Sequence, residues 1–188
     1  MLRVNKLELK NAIDFVKCAV SKDEYRPILT GIHLQVKGSR LIVEAVDGYR
    51  LMQASAEIIE NNNGQDESFD CVFDYNIPIK ATKKDFDNNM DIKITNDKTV
   101  IFEDISAHQS ISYKTINGSF FNTDNIWPEG EPEFQVRLNP KFLSELAKAY
   151  KDKGSVLLSF YGELNPVISS IENKPTDNGR GLLLPLKK

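Results

Sequence analysis

Apolar residues recur in this chain at two spacings, and their alternation divides it into three similar stretches. Leu9, Ala12, Ile13, Val16, Ala19 and Val20 fall three or four apart, which predicts an amphipathic helix over 6–22. Asn5 is placed to cap it, with Glu8 three residues on as in a capping box. Ile32, Leu34 and Val36 alternate with His33 and Gln35, the period of a strand with one buried face, so His33 is expected to face solvent. Lys37-Gly38-Ser39 reads as a hairpin turn, and 40–46 as the returning strand. Asp47-Gly48 then makes a second tight bend that holds Tyr49, Arg50 and Leu51 against the sheet. With a short strand at 2–4 and another at 52–59, the order is strand, helix, three strands.

The same order returns twice. A polar loop over 61–67 precedes a strand at 69–73, a short and weakly apolar helix at 80–88, and strands at 90–95, 99–105 and 109–115. After a turn-rich connection and a linker at 129–133, a strand at 134–138 leads to Asn139-Pro140, a cap followed by proline in the first turn. Phe142, Leu143, Leu146, Ala149 and Tyr150 form the stripe expected to be buried, Gly154 ends the helix, and strands follow at 156–160, 167–172 and 181–186. The chain is thus an α+β protein built on an internal repeat of about 60 residues. Its expected organisation is a first domain over 1–130, made of units 1–60 and 66–116 plus a connector, and a single unit over 131–188.

Composition narrows the classes. The chain has 188 residues, 40 % hydrophobic and 27 % charged, which is ordinary for a soluble globular protein. No apolar run approaches the roughly 20 residues that span a bilayer, and the first residues lack a signal peptide's apolar block, so a cytoplasmic location is expected. Cys18 and Cys71 are too few for a disulfide framework and read as small buried residues. A net charge of −3 argues against a simple nucleic-acid coat, yet the three helices carry eleven lysines against six acidic residues. That bias suits either a polyanion-facing surface or helix faces that are merely solvated. His33 and His108 have no serine or cysteine partner at a recognisable spacing, and Asp85 and Asp87 do not make a metal-ligand set. With no phosphate-cradling glycine loop either, the expectation is a protein without catalytic residues, metal or cofactor.

Four segments carry a resemblance. Arg26-Pro27-Ile28-Leu29-Thr30-Gly31, Ala45-Val46-Asp47-Gly48-Tyr49-Arg50-Leu51, Ile116-Asn117-Gly118-Ser119-Phe120 and Leu182-Leu183-Leu184-Pro185-Leu186 resemble, in order, segments of the bacterial DNA polymerase III beta subunits, the sliding clamps. The resemblance implies the DNA clamp fold: three repeated β-α-β-β-β units, with helices on one face of curved antiparallel sheets. Residues 1–130 resemble the family's middle domain, and 134–188 only the second half of its last domain. An intact clamp chain has six such units and closes a ring as a dimer. This chain has three, so two copies could pair their orphan halves and four would supply the units of a ring.

The resemblance also implies a hydrophobic cleft that takes short linear peptides from polymerases, the clamp loader and repair proteins. The matching positions are Leu29, Val46, Gly48, Tyr49, Arg50, Leu51, Pro128, Leu182, Leu184 and Pro185. Arg50 would offer a charged donor, and the leucines, Val46 and the prolines an apolar slot. Lys6, Lys10, Lys17, Lys141 and Lys148 would face double-stranded DNA and touch phosphates without reading sequence, although Asp14 and Glu145 are spaced to pair with lysines on their own helices. The expected function is a non-catalytic replication accessory (processivity factor), acting as a homo-oligomer, dimer or tetramer. The alternative is a ring-less peptide-binding module that competes with a full-length clamp.

Overall fold

The computed structural model describes residues 1–62, 69–75, 79–80, 88–171 and 179–186. The helix expected over 80–88, with Asp85 and Asp87, lies almost wholly outside them. Two compact units are present, Met1–Thr123 and Asp124–Lys188. The break follows Thr123 rather than 130, since the Thr123 hydroxyl donates to the buried Glu44 carboxylate at 2.6 Å and holds the connector to the first unit.

In the first unit, β1 (Leu2–Asn5) leads into α1 (Lys6–Val16), followed by β2 (Ile32–Lys37), β3 (Arg40–Val46) and β4 (Leu51–Asn61). The Asn5 side chain accepts from the Glu8 amide at 3.0 Å, so the cap forms as the sequence requires. The Glu8 carboxylate instead accepts from the Glu57 amide at 2.8 Å and pairs with Arg40 at 3.1 Å, which fixes the helix to β3 and β4. The helix is shorter than its apolar spacing predicts. Lys17–Ala19 tightens into a 3₁₀ turn, and the Ser21 amide, bonded to the Leu29 carbonyl at 3.0 Å, leads the chain away. Cys18 is consequently exposed, against expectation, while Cys71 is buried.

The second half of this unit supplies β5 (Asp70–Phe73), β6 (Asn89–Ile94), β7 (Thr99–Asp104) and β8 (Gln109–Lys114). All eight strands join in the order β5-β2-β3-β4-β1-β6-β7-β8. The halves meet at two seams of one kind. The opening strand of the first half, β1, pairs with β6, the next described strand of the second half after β5 (Val4↔Met90, Leu2↔Ile92). Reciprocally, β5 opens the second half and pairs with β2, the first strand after α1 (Ile32↔Phe73, Leu34↔Cys71). A bridge between Phe73 and Thr115 brings the two ends of the sheet together. Leu9, Ile13 and Val16 of α1 pack into one core with Leu2, Ile32, Leu34, Phe73, Ile92 and Phe102.

In the second unit, α2 (Pro140–Ala149) precedes β9 (Leu157–Ser159), β10 (Val167–Ser170) and β11 (Arg180–Leu183), ordered β11-β10-β9. Asn139 caps α2 by accepting from the Lys141 amide at 2.9 Å. The Tyr150 hydroxyl, just past the helix, lies 3.0 Å from Ser169 Oγ on β10. The apolar stripe does not bury as predicted: no residue of α2 is buried, and Phe142 is 51 % exposed. Residues 134–138 also fail to form the predicted strand, although the Leu186 amide donates to the Arg137 carbonyl at 2.7 Å. Both departures have one physical cause: this unit holds one half of the two-seam arrangement, and among the described residues nothing covers its apolar face.

Candidate functional site

The bend after β3 is organised by one carboxylate. Asp47 Oδ1 accepts from the amides of Tyr49 and Arg50, both at 2.9 Å. Its Oδ2 accepts from Arg50 Nε at 2.9 Å and Nη2 at 2.6 Å. The charge-assisted bonds from Arg50, then the backbone bond from Tyr49, hold the Asp47 carboxyl down at about 2. Two donors of Arg50 are therefore spent on bracing the bend. Tyr49 between them is 96 % exposed.

Gly48 has φ +92, a conformation that favours glycine, and the flexible end of Arg26 lies 3.2 Å from where a Cβ would stand. Arg26 is itself held by Asp23 at 2.8 Å. It opens the 3₁₀ turn Pro27–Leu29, in which Leu29 is buried. Val46 is buried at the end of β3, and Leu51 is half-buried at the start of β4, paired in register with Val46.

The remaining predicted cleft residues belong to the second unit. Pro128 is exposed and Pro185 half-buried. Leu182 and Leu184 are exposed on one side of the final strand, with Leu183 buried on the other. Leu184 and Pro185 line a groove of ≈ 970 Å³ with Leu186, Phe134, Val136 and Leu164. Sequence reading missed this groove because Glu131, Pro132 and Glu133, which also line it, read only as linker.

The basic set separates into three cases. Lys6 does not belong to a DNA-facing surface: it is 4 % exposed, with Nζ 2.5 Å from Asp104 Oδ2 in a buried pair. Burial would raise the Asp104 carboxyl, but the bonds from Lys6, Ser106 Oγ and the Ala107 amide bring it below its ordinary value. Lys10 and Lys17 share Asp14, at 2.5 and 2.7 Å, and those two bonds lower the Asp14 carboxyl. Lys141 and Lys148 are exposed, and no Lys141–Glu145 ion pair forms among the described residues.

A buried polar cluster went unseen in the sequence. His33 is buried on the outer face of the sheet, against expectation: Phe120 stacks on its ring at 4.2 Å, and its Nδ1 and Nε2 lie 3.0 and 3.2 Å from Glu44 and Asp70. Gln53 and Thr123 also donate to Glu44. Burial tends to raise the Glu44 carboxyl, and the bonds from His33, Thr123 and Gln53 outweigh it, leaving a net lowering. Alternation predicted an open outer face for β2. The connector over 116–123 covers that face, and only the pairing of His33 with Glu44 at facing strand positions hinted at it. Among the described residues no group of three or more His, Cys, Asp or Glu is placed to hold a metal ion. No helix of the described residues is long and apolar enough to cross a membrane.

Eight strands in two halves with reciprocal seams, followed by a helix and three further strands, define a DNA clamp fold. A Pseudomonas aeruginosa DNA polymerase sliding clamp matches 97 % of this chain and 50 % of its own with a TM-score of 0.73 at 16 % identity. A Bartonella birtlesii sliding clamp, solved bound to griselimycin, matches 99 % of this chain and 51 % of its own with a TM-score of 0.66 at 21 % identity. In sequence, the Bacillus subtilis beta sliding clamp is 30 % identical over 148 residues, 75 % of this chain and 36 % of that protein. The profile of the DNA polymerase III beta subunit central domain matches residues 3–122, nearly all of the first unit. The chain belongs to the DNA polymerase III beta subunit family, the sliding clamps. That family is one of polymerase accessory subunits, not catalytic ones. The chain spans about a third of the length of the Bacillus subtilis relative it matches.

Proposed function

We propose that the chain is a non-catalytic, clamp-like replication accessory protein of the cytoplasm that binds short linear peptides of polymerase, clamp-loader or repair partners. The observation that carries this reading is Tyr49, 96 % exposed on a bend fixed by Asp47. The bend fixes its backbone, and an aromatic side chain has few torsions to order on binding, so it makes an anchor for an apolar partner side chain. Half-buried Leu51 supplies apolar surface at the start of β4, Leu29 and Val46 are buried supports, Gly48 keeps the backbone low, and Arg50 braces the bend through Asp47. Pro128, Leu182, Leu184 and Pro185 offer apolar surface on the second unit.

Exposed Lys17, Lys141 and Lys148, with half-buried Lys10, would give weak contact with duplex DNA phosphates, falling steeply as salt rises. The protein would act as a homo-oligomer. Titration of the 188-residue chain with a fluorescent clamp-binding peptide tests the peptide site. Saturable binding that weakens about 10-fold or more in Tyr49→Ala, Asp47→Ala and Leu184→Asp is expected. No saturable binding, or binding indifferent to all three, would discard the site.

A further inference from the structure

The second unit contains half of an arrangement that the first unit displays whole. In the first unit each half brings an opening strand, β1 or β5, and a next described strand, β2 or β6, and each opening strand pairs with the other half's next strand. The second unit has both edges and, among the described residues, neither partner. Its opening segment, 134–138, is extended only as far as the Leu186–Arg137 bond holds it, and β9 is an outer strand of its sheet. Phe134, Phe142, Leu157 and Phe160 are all exposed beside those edges and on α2. In the first unit both seams are already filled and the sheet ends meet at Phe73 and Thr115, so it offers no matching edge.

We infer that a second copy of this chain completes the half-domain, residues 134–138 of each copy pairing antiparallel with β9 of the other about a two-fold axis. The two edges of a half-unit are complementary to each other, so one rotation satisfies both at once; that is the condition for an isologous interface. It deepens the homo-oligomer part of the function proposed above and does not depend on the peptide site.

The register follows from the first unit. Val4 precedes the Asn5 cap as Leu138 precedes the Asn139 cap, and Val4 lies opposite Met90. At the other seam Ile32 lies opposite Phe73, and the Val36 amide bonds the Phe69 carbonyl at 3.0 Å. In the second unit Val156 and Leu158 are the half-buried positions of the post-helix strand, as Ile32 and Leu34 are buried in β2. Leu138 then falls opposite Val156, Val136 opposite Leu158, and Phe134 opposite Phe160, with Arg137 facing Leu157 on the outside. Within one chain Phe134 already rests against Phe160, ring centroids 5.8 Å apart. Dimerisation would exchange that contact for the same pair between copies. The apolar faces of the two α2 helices would close over one shared core, and each half-unit would gain the cover that α1 has.

Sedimentation equilibrium of the full chain should give twice the 21.3 kDa chain mass at about 100 µM. Phe142→Asp should weaken the dimer at least about 10-fold while circular dichroism of the first unit's sheet is unchanged. The seam itself is tested on a Cys18→Ser background by mixing two single variants, Arg137→Cys and Leu157→Cys, and oxidising them. A disulfide-linked pair should form in the mixture and in neither variant alone. A chain that stays monomeric at that concentration overturns the inference. So does a dimer that gives no cross-link in the mixture, or one that Phe142→Asp leaves intact. Peptide titration of the Phe142→Asp monomer keeps the readings apart, since its peptide site can survive when the dimer does not.

Discussion

The two helices α1 and α2 begin alike and end in opposite surroundings. Each follows a short extended segment, each is capped by an asparagine side chain, and each carries an apolar stripe at helical spacing. Leu9, Ile13 and Val16 of α1 are nearly inaccessible, whereas no residue of α2 is buried. The stripe on α2 is if anything the sharper of the two. Amphipathicity therefore shows which face a helix wants covered and says nothing about whether the cover is present. In the first unit the cover is a second half joined through two strand seams, and the helix face, the strand edges and the core are completed together.

The comparison breaks most easily at the helices themselves. Ile13→Ala in α1 should cost about 2–5 kcal/mol in chemical denaturation, because it opens a cavity in the shared core. Leu146→Ala at the matching face of α2 should leave the first unit's midpoint unmoved. A comparable loss from both variants would mean that α2 is as deeply packed as α1, and the contrast would fall. The next effect is at Lys6. Removing its ammonium by Lys6→Ala leaves the Asp104 carboxylate buried with only Ser106 and the Ala107 amide, a loss of about 3 kcal/mol. Lys141→Ala, on the open helix, should change stability by less than about 0.5 kcal/mol. Two lysines assigned the same role from sequence would so be separated by a denaturation curve.

What the sequence revealed and concealed follows the same division. Both asparagine caps, the Asp47-Gly48 bend and the strands of the first unit were legible because local periodicity and turn chemistry determine them. The burial of Lys6 and His33 was not. Lys6 is neutralised by Asp104, which lies 98 positions along the chain, and His33 is covered by Phe120 from a connector with no periodicity of its own. The stripe over Phe142, Leu143, Leu146 and Ala149 was read correctly as a pattern, and its exposure was invisible because it depends on what lies opposite. Of the candidate site, the 46–51 bend could be read from its residues, but the spending of Arg50 on Asp47 needed coordinates.

A smaller effect sharpens the account of the first unit's outer face. Glu44 is buried against His33, Gln53 and Thr123, and its carboxyl lies below the ordinary 4.5 in the folded chain. A folded carboxyl held below its unfolded value contributes stability that is complete above the unfolded value and is lost as pH falls through the folded one. Wild-type unfolding should therefore lose stability below about pH 4.5 in part through this group. Glu44→Gln removes that titration while keeping the shape, so its pH dependence in that window should be flatter, with a cost of about 1–3 kcal/mol at neutral pH from the mispaired His33 and Thr123. Asp104 is lowered too and titrates in the same acid range, so the comparison is the difference between variant and wild type, never the raw slope. Thr123→Val tests the same cluster from the connector side. If it reproduces the loss at neutral pH, the connector is held down by this bond; if it does not, Phe120 stacking on His33 carries the attachment, and the closed outer face of the first unit owes more to aromatic contact than to its buried charge.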